Sequence, residues 1–412
     1  MKQLDVSEDF FRSESARLVG FLAVRFGAHR LQFAEDVAQE TLVRALQTWP
    51  YRGMPANPPA WLTQTAKNVA IDFLRRERRW REKETDIAAE QARWLSVPVD
   101  DENEETFADD TLRMIFVCFH PQLSTEAQTA LALRTVCGFS PAEIAAAFFT
   151  SEGAVSKRLV RARQRIRELG LPFSVPGPED LSGRLDGVLD ALYFLFNEGY
   201  KASSGEALVR VERCQEAIRL VSLLAEHPTT QAPRVLALLA LMLLNGARLH
   251  SRTDEAGNLL RLDEQDRKSW NRAMIEKGGR CLALSGKGEA LSLYHLEAGI
   301  AACHCLAEDS GSTDWGRILT LYDQMLTIVD SPIIRLNRSV AVARVLGPEA
   351  GLDAIEDLPL ESYYLLHAVR GAYNAEGGRN QSALECFRKA LTLAPLESER
   401  NFLKARITEL GA

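Results

Sequence analysis

An all-α fold is predicted by two observations. Apolar residues recur at spacings of three and four through nearly the whole chain, the period of an amphipathic helix. Alternating β-branched runs joined by Asn-Gly or Asp-Gly turns, the marks of hairpins, are absent. Two breaks divide the helices. Residues 84–110 hold ten acidic residues against Arg93 alone and include Ser96-Val97-Pro98, which predicts a linker with a poorly ordered acidic half. Residues 170–180 contain Pro172, Pro176, Gly177 and Pro178, which cannot continue a helix. The expected blocks are residues 1–83, the linker 84–110, then 111–169 and 181–412.

With 412 residues, 46% hydrophobic and 25% charged, the chain can bury more than one core, which excludes collagen, wholesale disorder and a disulfide-knotted scaffold. A net charge of -7 argues against a uniformly basic coat for nucleic acid, but the charge is uneven. Residues 61–83 carry seven Lys/Arg against three acids, and residues 152–168 carry six against two. The longest uncharged apolar run, 235–244, is far short of the ~20 residues a bilayer demands. No membrane association is expected. Met1-Lys2-Gln3-Leu4-Asp5 does not lead into an apolar core, and the seven cysteines lack CxxC spacing. Both fit free thiols and a cytoplasmic location.

In the block 111–169, Ser140-Pro141-Ala142-Glu143 is a helix-start signal: Ser140 caps, Pro141 suits the first helical position, and Glu143 closes a capping box. A short helix over 141–149 is followed by Thr150-Ser151, where Ser151 can cap the next helix. There Val155, Leu159, Ala162, Ile166 and Leu169 face the core, and Glu152, Ser156, Lys157, Arg161 and Arg165 point outward. Ala145 supplies the small residue where the helices cross, and Phe149 stands where many such turns place glycine. This pattern predicts a helix-turn-helix, whose second helix offers long basic donors to guanine edges and phosphates. The bland alternative is a helical hairpin with a solvated basic face.

In the first block, a helix over 34–49 is expected to bury Ala38, Leu42, Ala45, Leu46 and Trp49. Asp36, Gln39 and Glu40, at i, i+3 and i+4, share one polar face. An extended loop is expected over 50–59, then a long helix carrying Lys67, Asn68 and Asp72 ahead of Arg75-Arg76-Glu77-Arg78-Arg79. Trp61 and Phe73 are expected in the core.

Ala34-Glu35-Asp36-Val37-Ala38-Gln39-Glu40-Thr41 and Ala66-Lys67-Asn68-Val69-Ala70-Ile71-Asp72-Phe73-Leu74-Arg75-Arg76 together resemble region 2 of the extracytoplasmic-function (ECF) sigma factors. Glu143-Ile144-Ala145 and Val155-Ser156-Lys157-Arg158-Leu159-Val160-Arg161-Ala162-Arg163 resemble their region 4. The resemblance covers residues 10–170 and implies roles for these positions. Asp36, Gln39 and Glu40 would dock on the clamp helices of the largest subunit of core RNA polymerase, an acidic and amide face against an arginine-bearing coiled coil. Arg52 and Asn57, in the loop, would capture an unstacked base of the minus-ten promoter element, while Asn68, Arg75, Arg76 and Arg79 hold its phosphates. Ser156, Lys157, Arg158, Arg161 and Arg165 would read the minus-thirty-five duplex. The acidic linker would run through the polymerase.

In the last block, Gly371, Gly378, Ala383, Phe387, Ala390 and Pro395 match a tetratricopeptide-like (TPR-like) pattern, with Asn374 at the position of a consensus aromatic and Tyr373 beside it. Further helical hairpins are expected over 318–332, 333–346 and 348–358. Such arrays usually bind proteins or peptides. Phe196-Asn197-Glu198-Gly199-Tyr200 and Asp263-Glu264-Gln265-Asp266-Arg267 resemble motifs in the extension of one ECF subgroup, which implies that the extension tunes activity by touching regions 2 or 4 or the polymerase. The structural alternative for Asn197, Glu198 and 263–267 is a buried, satisfied hydrogen-bond network.

No metal or cofactor is expected. Cys303 and Cys305 on one helix would lie about 200° apart and cannot chelate one ion together with His295 or His304. Ser285-Gly286-Lys287-Gly288 lacks the leading glycine and trailing Ser/Thr of a phosphate loop, and no hydrolase or metalloprotease motif is present. The chain is expected not to be an enzyme. The rival readings are a conventional helix-turn-helix regulator with a TPR-like protein-binding domain, or an enzyme built in residues 181–412.

Overall fold

A computed structural model describes residues 8–80, 104–148, 150–170, 178–201, 209–254, 260–287 and 291–411, and every long element among them is an α-helix. The chain forms two compact units: residues 1–195 with 227–230, and residues 196–226 with 231–412.

The first unit opens with α1 (Glu8–Phe26), α2 (Leu31–Arg52) and α3 (Pro58–Trp80). Along α2, Ala34, Val37, Ala38, Thr41, Ala45 and Trp49 are buried, a stripe at spacings of three and four. Trp49 anchors this bundle at 2% exposure, stacked 5.7 Å from Phe11 and edge-on to Trp61 at 5.5 Å. Phe73 likewise meets Phe33 edge-on at 6.2 Å, but Trp61 and Phe73 are half-buried at the edge of the core rather than inside it.

Three expectations for α2 fail, the first being Leu42, which is only half-buried. Leu46 is 51% exposed rather than buried, because it lies one residue, about 100°, past Ala45 in the stripe. The helix also runs through Pro50 to Arg52 instead of opening into a loop after Trp49. Pro50 cannot donate to the carbonyl of Leu46, but in an exposed last turn that carbonyl is open to water. Gly53, at φ 82°, ends the helix with its N–H on the Trp49 carbonyl.

The acidic stretch is also more structured than its composition suggested. Helix α4 (Glu104–Cys118) begins inside it, and Asp110, 2% exposed, lies 3.6 Å from both Arg25 and Arg113. Buried Thr111, Met114, Ile115 and Cys118 supply the apolar side that holds this helix. The rest of the proposed linker, residues 84–103, lies outside the described residues.

After α5 (Thr125–Thr135) come α6 (Pro141–Ala147) and α7 (Glu152–Leu169), then α8 (Pro178–Tyr200), whose residues as far as Leu195 belong to this unit. Arg184 of α8 reaches the Phe116 carbonyl at 3.5 Å, and Phe194 lies 5.5 Å from Phe139.

In the second unit, α9 (Val211–Glu226) is followed by α10 (Pro233–Gly246), α11 (Arg272–Ser285) and α12 (Leu293–Leu306). The run Val235–Leu244 explains itself here. Nearly all of α10 is buried because α9, α11 and α12 pack around it. Next come α13 (Trp315–Ile328), α14 (Pro332–Leu346), α15 (Pro348–Asp353), α16 (Tyr364–Glu376), α17 (Asn380–Leu393) and α18 (Glu397–Gly411), each packed on its neighbour in sequence. The hairpin expected to reach residue 358 stops being helical at Asp353. Gly371 is needed where α16 meets α17, since a Cβ there would sit 2.8 Å from the ring of Phe387. Tyr373, rather than position 374, supplies the buried aromatic, and its hydroxyl pairs with Ser339 at 2.9 Å.

Candidate nucleic-acid interface

The helix-turn-helix is assembled by its caps. Ser140 Oγ accepts from the Glu143 N–H at 3.1 Å, and Ser140 N–H donates to Glu143 Oε2 at 2.7 Å, a complete capping box. Ser151 Oγ accepts from the Ala154 N–H at 3.3 Å and starts α7. The short helix ends at Ala147, two residues before the expected boundary, and Phe149 lies outside the described residues. Val155, Leu159, Ala162 and Ile166 are buried and hold α7 against α5 and α6; Leu169, at the end of the helix, is only half-buried.

Glu143 does a second job. It accepts Arg12 Nη1 from α1 at 2.7 Å, and the same guanidinium donates to the Gly138 carbonyl at 3.0 Å. Burial would raise its carboxyl, but the hydrogen bonds from Arg12 and from the Ser140 N–H and hydroxyl outweigh that and hold it at about 2. A depressed carboxyl contributes stability above its unfolded value that is lost as pH falls through the folded one. Glu143→Gln should therefore cost on the order of 2 kcal/mol at pH 7. In urea denaturation, the gap to wild type should close between about pH 4.5 and about pH 2. A gap that persists unchanged at pH 2 would mean that packing, not charge, makes this joint.

The outer face of α7 is open. Ser156, Lys157, Arg161 and Arg165 are exposed and Arg158 is half-buried. Lys157, Arg158 and Arg161 line a groove with Gln122, Ser124 and Ala154, and Arg165 donates to Gln122 Oε1 at 3.3 Å. Two residues of this helix were missed by sequence reasoning. Val160, 60% exposed, stands three residues from Lys157. Arg163 turns inward and pairs with Glu35 of α2 at 2.7 Å, with Thr135 Oγ1 donating to the same carboxylate at 3.3 Å. The signal for Arg163 was its spacing, four after Leu159 and three before Ile166, on the buried side.

On α2, Asp36 and Gln39 are exposed and Glu40 is partly exposed, so the three form one polar face. Gln32 donates to Asp36 at 2.8 Å, and Arg44 spans Glu40 at 3.1 Å and Asp72 at 3.9 Å. Arg52 and Asn57 are exposed, and Asn57 Oδ1 accepts from the Ala60 N–H at 3.1 Å, capping α3. Asn68, Arg75 and Arg76 are exposed on α3, with Arg76 6.0 Å from the Phe73 ring centre. The side chain of Arg79 lies outside the described residues. Asp36 and Arg76 share one cleft with His29, Phe73 and Arg167.

The extension motifs do not form the buried network expected of them. Glu198 is buried, but Asn197, Asp263, Glu264 and Asp266 are exposed. Asp266 caps the turn Arg267–Ser269 through Lys268 N–H at 2.9 Å. Arg267 donates to the carbonyls of His304 at 2.6 Å and Ala307 at 3.0 Å, closing the end of α12. Tyr200 stands instead with Arg248 and Arg252. Cys305 Sγ donates to the Leu244 carbonyl at 3.3 Å, and Cys303 packs beside the cluster of Leu296, Leu321 and Met325. His295 closes the capping box of α12 with Ser292.

Three family models match the chain: sigma-70 region 2 over residues 11–80, sigma-70 region 4 over 113–166, and a family of unknown function (DUF6596) over 184–286. An uncharacterized protein of Rhizobium meliloti is 37% identical over 392 residues, 93% of this chain and 91% of that one. The ECF RNA polymerase sigma factor SigL of Mycobacterium tuberculosis is 35% identical over 163 residues, 38% of this chain and 88% of its own length. The ECF RNA polymerase sigma-E factor of Haemophilus influenzae is 32% identical over 137 residues, 32% of this chain and 71% of its own. No solved structure matches. With a capped helix-turn-helix bearing an open basic face, region 2 ahead of it and these relatives along its first part, the chain belongs to the extracytoplasmic-function RNA polymerase sigma factors and carries an additional helical domain behind them.

Proposed function

We propose how this sigma factor divides its work among its residues. Asp36, Gln39 and Glu40 dock on the clamp helices of the largest polymerase subunit. Arg52 and Asn57 take the flipped minus-ten base, Asn68, Arg75, Arg76 and Arg79 grip the adjacent phosphates, and Ser156, Lys157, Arg158, Arg161 and Arg165 read the minus-thirty-five duplex. The domains follow as region 2 over residues 1–83, region 4 over 111–169 and an extension over 181–412, with the acidic connection shortened to the residues before Glu104. The extension, including Asn197, Glu198, Tyr200, Asp266 and Arg267, regulates initiation, and the chain performs no bond chemistry itself. The protein acts in the cytoplasm; no helix among the described residues is long and apolar enough to cross a membrane.

The observation that carries this reading is the outer face of α7. Lys157, Arg161 and Arg165 have been left in water while Val155, Leu159, Ala162 and Ile166 on the opposite side are buried. Solvated cations on a rigid helix lose little entropy on meeting phosphates and base edges. Asn57 suits the base-capturing role because its cap fixes the side chain at the start of α3 while leaving the amide nitrogen free to face DNA.

The test is transcription in vitro with purified core polymerase and this chain, using fragments of the host genome as templates. Discrete transcripts that depend on the added chain are expected. Binding to duplex fragments without any such transcript would favour a conventional regulator instead.

A further inference from the structure

The second unit contains a cationic cluster apart from the residues proposed above to meet promoter or polymerase. Arg252, in the turn after α10, is 8% exposed, and its guanidinium carbon lies 3.7 Å from the ring centre of Tyr200. Arg248, one turn earlier, places its own 5.4 Å from the same ring centre and donates to Asn245 Oδ1 at 3.1 Å. Arg252 Nη1 and the Tyr200 hydroxyl are both buried without a hydrogen-bond partner. Among the described residues, no carboxylate pairs with either arginine.

Among the described residues, the neighbouring thiol and imidazole supply no negative charge either. The Cys214 thiol, which feels Arg252, is pushed up to about 12 by burial and stays protonated. His304 Nδ1 is likewise buried and unpartnered, and burial, with Arg248 and Arg267 nearby, holds this imidazole at about 4, neutral at pH 7. Arg267 differs from its neighbours, because two carbonyls at the end of α12 compensate it.

A buried guanidinium without a counter-charge is strongly unfavourable, and an aromatic face offsets only part of that cost while leaving the in-plane donors unused. Two guanidinium forks lie beside one aromatic ring, and the ring's own hydroxyl and Arg252 Nη1 are donors left unused. That set is complementary to a tetrahedral oxyanion, which takes several charge-assisted hydrogen bonds at once. We propose that Tyr200, Arg248 and Arg252 form a binding site for a phosphate group in the extension, so that the extension senses free phosphate or a small phosphate ester. The site lies inside the segment that matches the family of unknown function.

The experiment is isothermal titration of the full chain with inorganic phosphate and, separately, with glycerol 3-phosphate, at constant ionic strength. Saturable binding to one site by at least one of the two is expected, and which one binds better identifies the source. Arg252→Gln should weaken it at least about tenfold, and Tyr200→Phe by several-fold. Because Arg252 is buried, Arg248→Gln provides the same reading should Arg252→Gln fail to fold. The double variant Arg161→Ala, Arg165→Ala, which removes cations from the DNA face, should bind as wild type does. No saturable binding of either probe below about 50 mM, or binding unchanged in the folded Arg252 and Arg248 variants, overturns the site. Loss in the Arg161/Arg165 variant instead would place the ion on the DNA face and equally overturn it. None of these outcomes depends on whether the chain initiates transcription.

Discussion

Replacing Asp36 or Glu40 with arginine should abolish co-purification of this protein with core RNA polymerase. Both side chains reach water from one face of α2, and their backbone is held by the buried stripe on the opposite side. The fold should hardly notice. Asp36 gives up one exposed contact with Gln32, and Glu40 an exposed i,i+4 pair with Arg44, worth about 0.3–0.5 kcal/mol. At an interface, by contrast, setting a like charge against a cationic partner costs several kcal/mol, a loss of more than about a hundredfold in affinity. Affinity purification of each variant with core polymerase, beside its thermal melt, separates the two effects. A variant that melts like wild type and still retains polymerase would move the docking face off α2.

The second large effect is expected on the outer face of α7. Lys157→Ala combined with Arg161→Ala should weaken binding to a minus-thirty-five duplex by about tenfold to a hundredfold near 0.15 M salt. It should also lower the slope of log affinity against log salt by about two, because two phosphate-neutralising cations are gone. Titration at two ionic strengths reads both numbers, and an unchanged slope would remove these residues from the interface. Arg163→Ala is the informative contrast. Arg163 is on the same helix but lies under it, so its loss leaves Glu35 buried without its cation. That should cost about 3–5 kcal/mol of stability rather than affecting the salt slope.

Most of region 4 was legible from its residues because its determinants are local. Ser140, Pro141 and Glu143 start one helix and Ser151 the next through bonds spanning three residues, and the buried stripe of α7 repeats within a turn. The same locality explains where the reading failed. Acidic composition in residues 84–110 hid the helix that begins at Glu104, since a charge count carries no periodicity. Proline 50 read as a helix end, yet an exposed last turn can lose one hydrogen bond to water. Among the extension motifs, Asn197 and Asp266 read as buried polar groups although their side chains are solvated.

By itself the sequence determined the all-helical class, the capped helix-turn-helix and the polar face of Asp36, Gln39 and Glu40, because caps and amphipathic faces are written within a few residues. Only the tertiary structure decided that Arg163 meets Glu35, that Arg12 meets Glu143 across 131 residues, and that Arg252 is buried on Tyr200 without a counter-ion. A charged side chain announces its sign but not its partner. Partners distant in sequence are chosen by how whole helices pack, and that choice depends on the entire buried surface rather than on any short segment.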